Sequence, residues 1–350
     1  MGDVVGIALI GAGNIAKIQA RAIAEIPEAR LSVVCATREE TAKALAEPYG
    51  AAWTTDLQAA VGRPDVQLVS VCTPSGRHLE PTLAAASAGK HVLVEKPLEI
   101  TLGRVDRMIQ ACREAGVLLG AIFQNRFKEG VRYAREAIRQ GRLGRLVLAD
   151  AYVKWYRPDS YYAQGGWRGT WELDGGGALM NQSIHTVDLL QYLMGDVSRV
   201  FAQTGTLAHD IETEDVAVAL LSFANGAMGV IEGTTAAWPG MPARVEVHGD
   251  RGTIVLTEGQ VTTWDLQDAS DEERATVMGA AVGGSGAADP MAIGHEGHRR
   301  QIASMVKAIL EGQPLEVDGA EGRKAVEIIR GIYRSAQLQQ PISLPLAEDE

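Results

Sequence analysis

The chain has 350 residues, of which 46% are hydrophobic and 22% charged, and its formal net charge is −11. This composition excludes wholesale disorder, and the acidic balance disfavours binding to nucleic acid, which requires a basic surface. No apolar stretch approaches the roughly 18 residues of a membrane-spanning helix, and no basic segment precedes the first apolar run. We therefore expect no signal peptide, no membrane partner and no nucleic-acid partner.

The first third of the chain alternates short apolar runs with helical patterns. The apolar runs cover residues 4–10, 31–36, 68–72, 91–94 and 117–123, and the helical patterns cover 15–25, 39–47, 79–88 and 102–115. Strands that are buried on both faces are continuously apolar, and their alternation with helices is typical of βαβ units. The sequence therefore predicts a doubly wound α/β Rossmann domain with a parallel sheet over residues 1–123.

The pattern changes after Phe123, where strand hairpins become dominant. Predicted strands cover 215–223, 227–235, 244–248, 253–257 and 261–266, and predicted helices cover 130–140, 177–194, 298–310 and 319–336. Asn225-Gly226, between the first two strands, is a strong hairpin turn. Residues 268–294 show little periodicity and are predicted to form a mobile loop. Residues 124–350 are therefore predicted to form an α+β domain with a large, mostly antiparallel sheet.

The three cysteines, Cys35, Cys72 and Cys112, are far apart and lie in apolar or helical runs. This pattern favours buried free thiols over a disulfide framework. It also fits the reducing cytoplasm, where we expect the protein to reside.

The turn between the first strand and the first helix reads Gly11-Ala12-Gly13-Asn14-Ile15-Ala16. This is the dinucleotide-binding fingerprint with Ala in its last position. The glycines permit a tight turn and close approach of a pyrophosphate, while the helix N-terminus offers unpaired N–H groups. We expect Gly11, Gly13, Asn14 and Ile15 to bind the cofactor; the alternative is a glycine turn with a structural role alone.

The second predicted strand ends at Cys35-Ala36-Thr37-Arg38, without the acidic residue that usually holds the ribose 2′-hydroxyl of NAD. Thr37 and Arg38 could instead hold a 2′-phosphate. The cofactor is therefore predicted to be NADP or NAD, with these two residues favouring NADP. The alternative is that Arg38 stacks on the adenine and that either cofactor fits.

Two polar turns, Thr73-Pro74-Ser75 and Glu95-Lys96-Pro97, follow the third and fourth strands. Both lie at carboxyl ends of parallel strands, where such folds bind ligands. Burial and a nearby cationic nicotinamide would favour the neutral form of Lys96, which makes it a candidate proton donor or acceptor. Taken alone, a Lys-Pro pair is more often a surface turn.

A second candidate site follows Asp174-Gly175-Gly176-Gly177, where the glycines let the backbone pass close to a ligand. Asn181 and His185 are four residues apart and would share one face of the predicted helix. His185 is therefore a candidate acid or base, and a structural histidine is the alternative.

Aromatic residues form only 5% of the chain but are concentrated before that helix. The cluster consists of Trp155, Tyr156, Arg157, Tyr161, Tyr162, Trp167, Arg168 and Trp171. Flat rings with guanidinium groups suit a carbohydrate or polyol, whereas a subunit interface or a packed loop is the alternative. His295 and His298 lack convincing carboxylate or cysteine companions, so no metal site is expected.

Together these motifs resemble the glucose–fructose oxidoreductase / inositol dehydrogenase (Gfo/Idh/MocA) family over nearly the whole chain. The resemblance rests on the turn at 11–16, Thr73-Pro74-Ser75 with His78, residues 88–92 running into Glu95-Lys96-Pro97, the glycines at 175–177, and His185 with Asp188-Leu189-Leu190. It implies an NAD(P)-dependent oxidoreductase of sugars, polyols or sugar derivatives. It also implies a homodimer or homotetramer that assembles through the open face of the second sheet.

The resemblance also implies roles for particular residues. Lys96 would hold the nicotinamide ribose and the reacting hydroxyl, and His185 would be the acid/base. Glu95 and His78 would lie at the cofactor with the two polar turns. The implied substrate contacts are Arg126, Arg168, Asn181 and His185, to which the aromatic cluster adds Tyr156 and Trp167.

The sequence departs from the inositol dehydrogenase pattern at Asn181, where those members carry Asp. A neutral amide can orient a hydroxyl but cannot take up its proton, so proton handling is left to Lys96 and His185. The run 177–182 is similar to members that oxidise the 3-hydroxyl of hexosides or nucleotide-linked sugars.

The predicted reaction is therefore hydride transfer between the nicotinamide and a secondary hydroxyl or ketone of a sugar, glycoside or polyol. One alternative is a glycosidase on the same scaffold that uses tightly held NAD to oxidise, eliminate and reduce again. The other is a dinucleotide-binding sensor without enzymatic activity.

Overall fold

The computed structural model describes residues 4–163, 166–279 and 294–346. Their contacts divide these residues into two units, the first comprising 4–124 and 294–323, and the second comprising the described part of 125–279 together with 324–346. The break after Gln124 lies one residue from the predicted boundary. Residues 294–323 belong to the first unit, whereas the sequence placed them in the second domain.

The first unit contains a six-stranded sheet with intervening helices. Its elements up to Gln124 are β1 (Val5–Ile10), α1 (Asn14–Ala24), β2 (Ala29–Cys35), α2 (Glu39–Ala46), β3 (Ala52–Thr54), α3 (Leu57–Val61), β4 (Leu68–Val71), α4 (Leu79–Ser87), β5 (His91–Val94), α5 (Leu102–Glu114) and β6 (Leu119–Ala121). The strand order is β3-β2-β1-β4-β5-β6, and all of these pairs are parallel. β1 and β4 are buried along their whole length, and apart from Gly6 and the buried Ser70 they consist of apolar residues. The predicted doubly wound domain is confirmed.

The remaining elements along the chain are the eight strands of a second sheet and several helices, of which α10 belongs to the first unit. They are α6 (Glu129–Arg139), β7 (Leu146–Lys154), α7 (Asp159–Ala163), α8 (Ile184–Met194), β8 (Val197–Gly205), β9 (Val216–Phe223), β10 (Met228–Thr234), β11 (Arg244–Gly249), β12 (Gly252–Thr257), β13 (Gln260–Leu266), α9 (Asp271–Gly279), α10 (Glu296–Glu311), α11 (Gly319–Leu338) and β14 (Ile342–Ser343). The strand order is β13-β12-β11-β7-β10-β9-β8-β14, and β7 with β10 forms a parallel pair in an otherwise antiparallel sheet. The hairpin predicted at Asn225-Gly226 joins β9 and β10, and the mostly antiparallel second sheet is confirmed.

Helix α10 is part of the first unit because its apolar face completes that unit's core. Ile302, Met305 and Val306 lie in the same buried cluster as Ile7 and Leu9 of β1. An amphipathic helix packs wherever a complementary apolar surface is available, so its place along the chain does not decide its domain. This is why the sequence assigned α10 to the wrong unit.

The sheet of the second unit has one covered and one open face. Along β9, Ala219 and Leu221 are buried whereas Val218 and Leu220 are exposed, and α8 packs on the buried side through β7 and β11. Cross-strand pairing places Phe201 beside Leu220 and Met228 beside Leu148, whereas Val218 lies between Gln203 and Glu232. This open face consists of Leu148, Phe201, Val218, Leu220 and Met228.

The loop predicted over residues 268–294 begins with a helix instead. Residues 271–279 form α9, and the N–H of Glu273 donates to the Ser270 hydroxyl at 3.1 Å. Ser followed three residues later by Glu is a helix-start pattern that the composition of the segment obscured. Residues 280–293 lie outside the described part of the chain.

The three cysteines are buried free thiols, as predicted. Burial raises the pKa of Cys35 to about 11, with a smaller effect of the Asp56 charge, so this thiol is a weak nucleophile. Within the described ranges, none of the helices is long and apolar enough to cross a bilayer.

Candidate active site

The first candidate region is the turn where β1 leads into α1. Gly11 has a φ of +111°, and a Cβ added there would lie 2.5 Å from the carbonyl oxygen of Cys72. Gly13 precedes α1 without a side-chain cap, and open space surrounds the position that its Cβ would take. The first N–H groups of α1 therefore remain available to a ligand, which suits a pyrophosphate.

The neighbouring strand β2 leads to Thr37 and Arg38, both exposed. Since β1 and β2 are parallel neighbours, these side chains lie at the same edge of the sheet as Gly11. Arg38 precedes α2, whose first turn begins with the carboxylate of Glu39. The edge therefore offers both a guanidinium and a carboxylate to a ribose.

Glu95 directly follows β5 and is only 5% exposed. Its Oε1 accepts a hydrogen bond from Nε2 of Gln19 at 2.6 Å and lies 3.3 Å from Nε2 of His298. Burial raises the pKa of Glu95, but the hydrogen bond and charge of His298, together with Gln19 and Lys96, hold it below its ordinary value. A buried carboxylate therefore stands beside Lys96, which is partly exposed.

The sequence did not predict Gln19 and His298 as partners of Glu95. Gln19 is in α1 and His298 is in α10, and neither has a local pattern that points to Glu95. Only the packing of the two helices against the first unit brings their side chains to the end of β5.

His78 contacts the backbone of both polar turns that were predicted to bind the cofactor. It is 1% exposed, with Nδ1 2.9 Å from the carbonyl oxygen of Pro97 and Nε2 2.9 Å from that of Thr73. Both ring nitrogens are therefore engaged by backbone, which differs from the direct cofactor contact expected from the sequence. Thr73 and Pro74 are partly exposed and Ser75 is buried.

The second candidate region begins with a π-helix, Ala178–Ser183, that continues directly into α8. The Glu214 carboxylate accepts hydrogen bonds from the backbone N–H of Gly177 at 3.0 Å and of Leu179 at 2.7 Å. The hydroxyl of Tyr333 donates to the same carboxylate at 2.9 Å. Burial raises the pKa of Glu214 to about 7 even though these hydrogen bonds lower it.

The π-helix changes the predicted relation between Asn181 and His185. Asn181 lies in the π-helix and His185 in the first turn of α8, so the spacing of one continuous α-helix does not apply. Both side chains are partly exposed. Single π-helical turns are frequent at functional sites because they re-aim side chains.

Asn181 is held by a polar network. Its Nδ2 donates to Asp174, and its Oδ1 accepts from Nε2 of Gln182 at 2.7 Å. Gln182 in turn donates to the hydroxyl of Tyr161 at 2.8 Å and accepts from Nε of Arg157 at 3.0 Å. Because an ionised carboxylate only accepts, Asp174 determines which end of the Asn181 amide faces it.

Three of the predicted substrate residues are partly exposed near this network: Tyr156, Trp167 and Arg168. The Arg168 guanidinium lies 4.4 Å from the ring centre of Tyr161 and 5.3 Å from that of Trp167. Tyr156 packs edge-on against Trp238, with ring centres 4.9 Å apart. Such rings and cations present flat apolar surface beside polar groups, as carbohydrate contacts require.

Arg126 has a different environment from the predicted substrate contact. It is 1% exposed and forms a bidentate ion pair with Asp188, with N–O distances of 2.9 and 2.6 Å. Its guanidinium also lies 4.5 Å from the ring centre of Tyr192. Since Asp188 and Tyr192 both belong to α8, Arg126 anchors the helix of His185. The family resemblance implied that Arg126 contacts the substrate, and it did not predict the ion pair with Asp188.

Two sequence models of the Gfo/Idh/MocA family match the chain. The oxidoreductase family model with an NAD-binding Rossmann fold matches residues 5–123. The GFO/IDH/MocA C-terminal domain model matches residues 131–255.

Individual relatives agree with these matches. The crystal structure of the WlbA dehydrogenase from Bordetella pertussis, in complex with NADH and UDP-GlcNAcA, is 33% identical, has a TM-score of 0.91 and is covered over 99% of each chain. Myo-inositol 2-dehydrogenase from Thermotoga maritima is 29% identical over 98% of each chain. D-glucoside 3-dehydrogenase from Escherichia coli is 37% identical over 196 residues, 54% of each chain.

The parallel sheet, its glycine turn and the matched segments define an oxidoreductase with an NAD-binding Rossmann domain. The chain belongs to the Gfo/Idh/MocA family, as its motifs indicated.

Proposed function

We propose that this protein transfers a hydride between NAD(H) and a secondary hydroxyl or ketone of a sugar, glycoside or polyol. The observation that carries the proposal is Lys96, which is partly exposed at the carboxyl end of β5 beside the buried Glu95 carboxylate. A lysine placed there can serve as a positioned proton donor or acceptor. The names of the relatives, which include an inositol and a glucoside dehydrogenase, support a sugar or polyol as substrate.

The residues divide the work between binding and proton transfer. Gly11 and Gly13 hold the pyrophosphate, and Lys96 holds the nicotinamide ribose and the reacting hydroxyl. When bound, the nicotinamide supplies the hydride acceptor or donor. In oxidation, Lys96, His185 or both take the hydroxyl proton, and in reduction the proton returns by the same groups. Asn181, with its amide oriented by Asp174, aligns the substrate.

The position of oxidation on the sugar is proposed to be C3. The run 177–182 resembles family members of that regiochemistry, and the Escherichia coli relative is named a D-glucoside 3-dehydrogenase. Tyr156, Trp167 and Arg168 supply the rings and the cation for the sugar. A panel of hexosides and nucleotide-linked sugars, with product analysis by NMR, tests the position.

Cofactor choice is proposed to depend on Thr37 and Arg38. A guanidinium at the end of β2 favours binding of a 2′-phosphate. We therefore expect NADP(H) to bind in addition to NAD(H). Thermal shifts with both cofactors measure this, because a ligand that binds only the folded state raises the melting temperature. Arg38→Ala should reduce the shift with NADPH and leave the shift with NADH in place. Equal effects on both would contradict the role of Arg38.

The open face supports assembly into a homodimer or homotetramer. Leu220 and Met228 are 57% and 65% exposed there, and several exposed apolar side chains on one sheet face suit an interface. The proposed partner of the open face is a second copy of the chain, because symmetric homo-oligomers predominate among soluble oligomeric proteins. Light scattering of Leu220→Lys/Met228→Glu should show a smaller assembly than the wild type.

We also propose a cytoplasmic location, which the three buried free thiols favour.

The central experiment is the Lys96→Met variant, assayed by nicotinamide absorbance with a sugar panel. Removal of a positioned acid or base lowers the rate by roughly 10²–10⁴-fold, while NADH binding should persist. Lys43→Met, an exposed lysine on α2, is the control. Turnover of Lys96→Met within a few-fold of the wild type would refute the assignment. Net glycoside hydrolysis with cofactor that never dissociates would identify the glycosidase instead, and NADH binding without turnover would identify a sensor.

A further inference from the structure

The ring of His78 joins the two turns that are proposed to hold the cofactor and the reacting hydroxyl. Its Nδ1 lies 2.9 Å from the carbonyl oxygen of Pro97 and 3.3 Å from that of Leu98. Its Nε2 lies 2.9 Å from the carbonyl oxygen of Thr73. Thr73 follows β4 and Pro97 follows Lys96, so one side chain sets the spacing between the two turns.

The chemistry of these partners restricts the protonation state of the ring. A backbone carbonyl oxygen only accepts hydrogen bonds, whereas a neutral imidazole has one donor and one acceptor nitrogen. A neutral His78 could therefore satisfy one carbonyl, and its second nitrogen would face the other with lone pair against lone pair. An imidazolium donates at both nitrogens, and charged donors form the stronger bonds.

We propose that His78 is an imidazolium in the folded protein and that it is a positioning residue for Lys96. The inference rests on the proposed role of Lys96 in the reaction. The cation donates to Thr73 on one side and to Pro97 on the other, so the turn that presents Lys96 is tied to the turn that follows β4.

Ionisable groups of both signs lie on the surrounding segments. They are the carboxylates of Glu80, Glu95 and Glu99 and the cations Arg77, Lys96 and Arg104. Arg104 pairs with Glu99 at 2.8 Å and with Glu80 at 3.3 Å. The carbonyl oxygens that converge on the ring are therefore what stabilises its charge, because a buried cation persists only where it is hydrogen-bonded.

The first test is spectroscopic and needs no sugar substrate. In protein labelled with ¹⁵N-histidine, the His78 resonances are those that disappear in His78→Gln. At neutral pH we expect both of its ring nitrogens to carry protons. A neutral pattern, with one protonated and one bare nitrogen, would overturn the proposal. His295→Gln is the control, because His295 is a surface histidine of the same unit, 2.8 Å from Glu25.

The second test distinguishes the proposed positioning role of His78 from a role in packing alone. His78→Gln keeps one hydrogen bond at most and His78→Met keeps none, although both fill the site. We expect kcat to fall by about 10-fold and about 100-fold respectively, since small displacements of a reacting group cost rates of this order. The Kd for NADH should rise by a smaller factor, and His295→Gln should match the wild type.

Wild-type kcat and NADH affinity in His78→Met would contradict a positioning role. If His78→Met does not fold, His78→Gln and the ¹⁵N spectrum still decide the question. If the wild type turns over no sugar, the proposed function fails. The protonation state of His78 and the NADH affinities of the variants would still test its positioning role.

Discussion

The hydroxyl of Tyr333 donates a 2.9 Å hydrogen bond to the carboxylate of Glu214, which is only 3% exposed. The same carboxylate accepts the N–H groups of Gly177 and Leu179. Segments that are far apart in the chain therefore meet at one acid, which holds the start of the π-helix and, through it, the helix of His185. Because burial raises the pKa of Glu214 to about 7, this acid changes its charge near neutral pH.

The raised pKa of Glu214 predicts a pH-dependent stability. The ordinary value is 4.5, so the contribution of Glu214 is fully present below that pH and is lost as the pH rises through about 7. The loss should reach about 3 kcal/mol at about 1.4 kcal/mol per pKa unit. Urea unfolding at about pH 5 and about pH 8 measures it. Glu214→Gln cannot ionise and should show a pH dependence smaller by that amount; equal dependence in both proteins would contradict the prediction.

The buried pair of Arg126 and Asp188 predicts strong coupling between two substitutions. Arg126→Met or Asp188→Leu alone leaves a buried charge without its partner and should lower the free energy of unfolding by about 3–5 kcal/mol. The double variant Arg126→Met/Asp188→Leu removes both charges and should recover much of that loss. A double-mutant cycle in urea gives the coupling energy. Additive losses would show that the two side chains act independently.

Two glycines of the β1–α1 turn are expected to behave differently. Gly11→Ala places a Cβ 2.5 Å from the Cys72 carbonyl oxygen at a φ of +111°, and should cost about 2 kcal/mol or more in stability. Gly13→Ala meets open space at a φ of −78°, so its unfolding free energy should stay within about 1 kcal/mol of the wild type. Its NADH affinity should nevertheless fall by about 10-fold, because the methyl group occupies the space of the pyrophosphate. Thermal unfolding and NADH fluorescence titration measure the two effects, and unchanged NADH affinity in Gly13→Ala would place the pyrophosphate elsewhere.

Asn181→Asp should not create a more active enzyme. The amide of Asn181 donates to Asp174, so the substitution places two carboxylates in contact. Like charges at this distance do not ionise together, and we expect a loss of about 2 kcal/mol at neutral pH together with reduced activity. The exchanged pair Asp174→Asn/Asn181→Asp restores one carboxylate and one amide and should recover most of the stability. Full stability in the single variant would show that Asp174 does not constrain the position.

Local pattern predicted most of the sheet of the first unit and the hairpin strands of the second, but not β7 or β8. Largely apolar runs marked β1, β4 and β5, and Asn225-Gly226 marked the hairpin of β9 and β10. The three-residue strand β3 escaped because it is short and only partly buried. Helix α9 escaped because a composition typical of loops concealed the pairing of Ser270 with Glu273.

The environment of each site residue could not be predicted in the same way. Arg126 was expected at the substrate and is buried against Asp188, and His78 was expected at the cofactor and faces two backbone carbonyls. The π-helix before α8 was not predicted either, because residues 177–194 were interpreted as one continuous helix.

By itself the sequence determined the parallel sheet, the mostly antiparallel sheet and the glycine turn, because periodicity and turn chemistry are local properties of the chain. Lys96 and His185 as the reacting residues stay a prediction. The tertiary structure alone decided their partners. Gln19 meets Glu95 across 76 positions and Tyr333 meets Glu214 across 119, and helix α10 joins the core of the first unit. Hydrogen bonds and packing over such separations depend on how whole elements fit together in space, and this leaves no periodic trace along the chain.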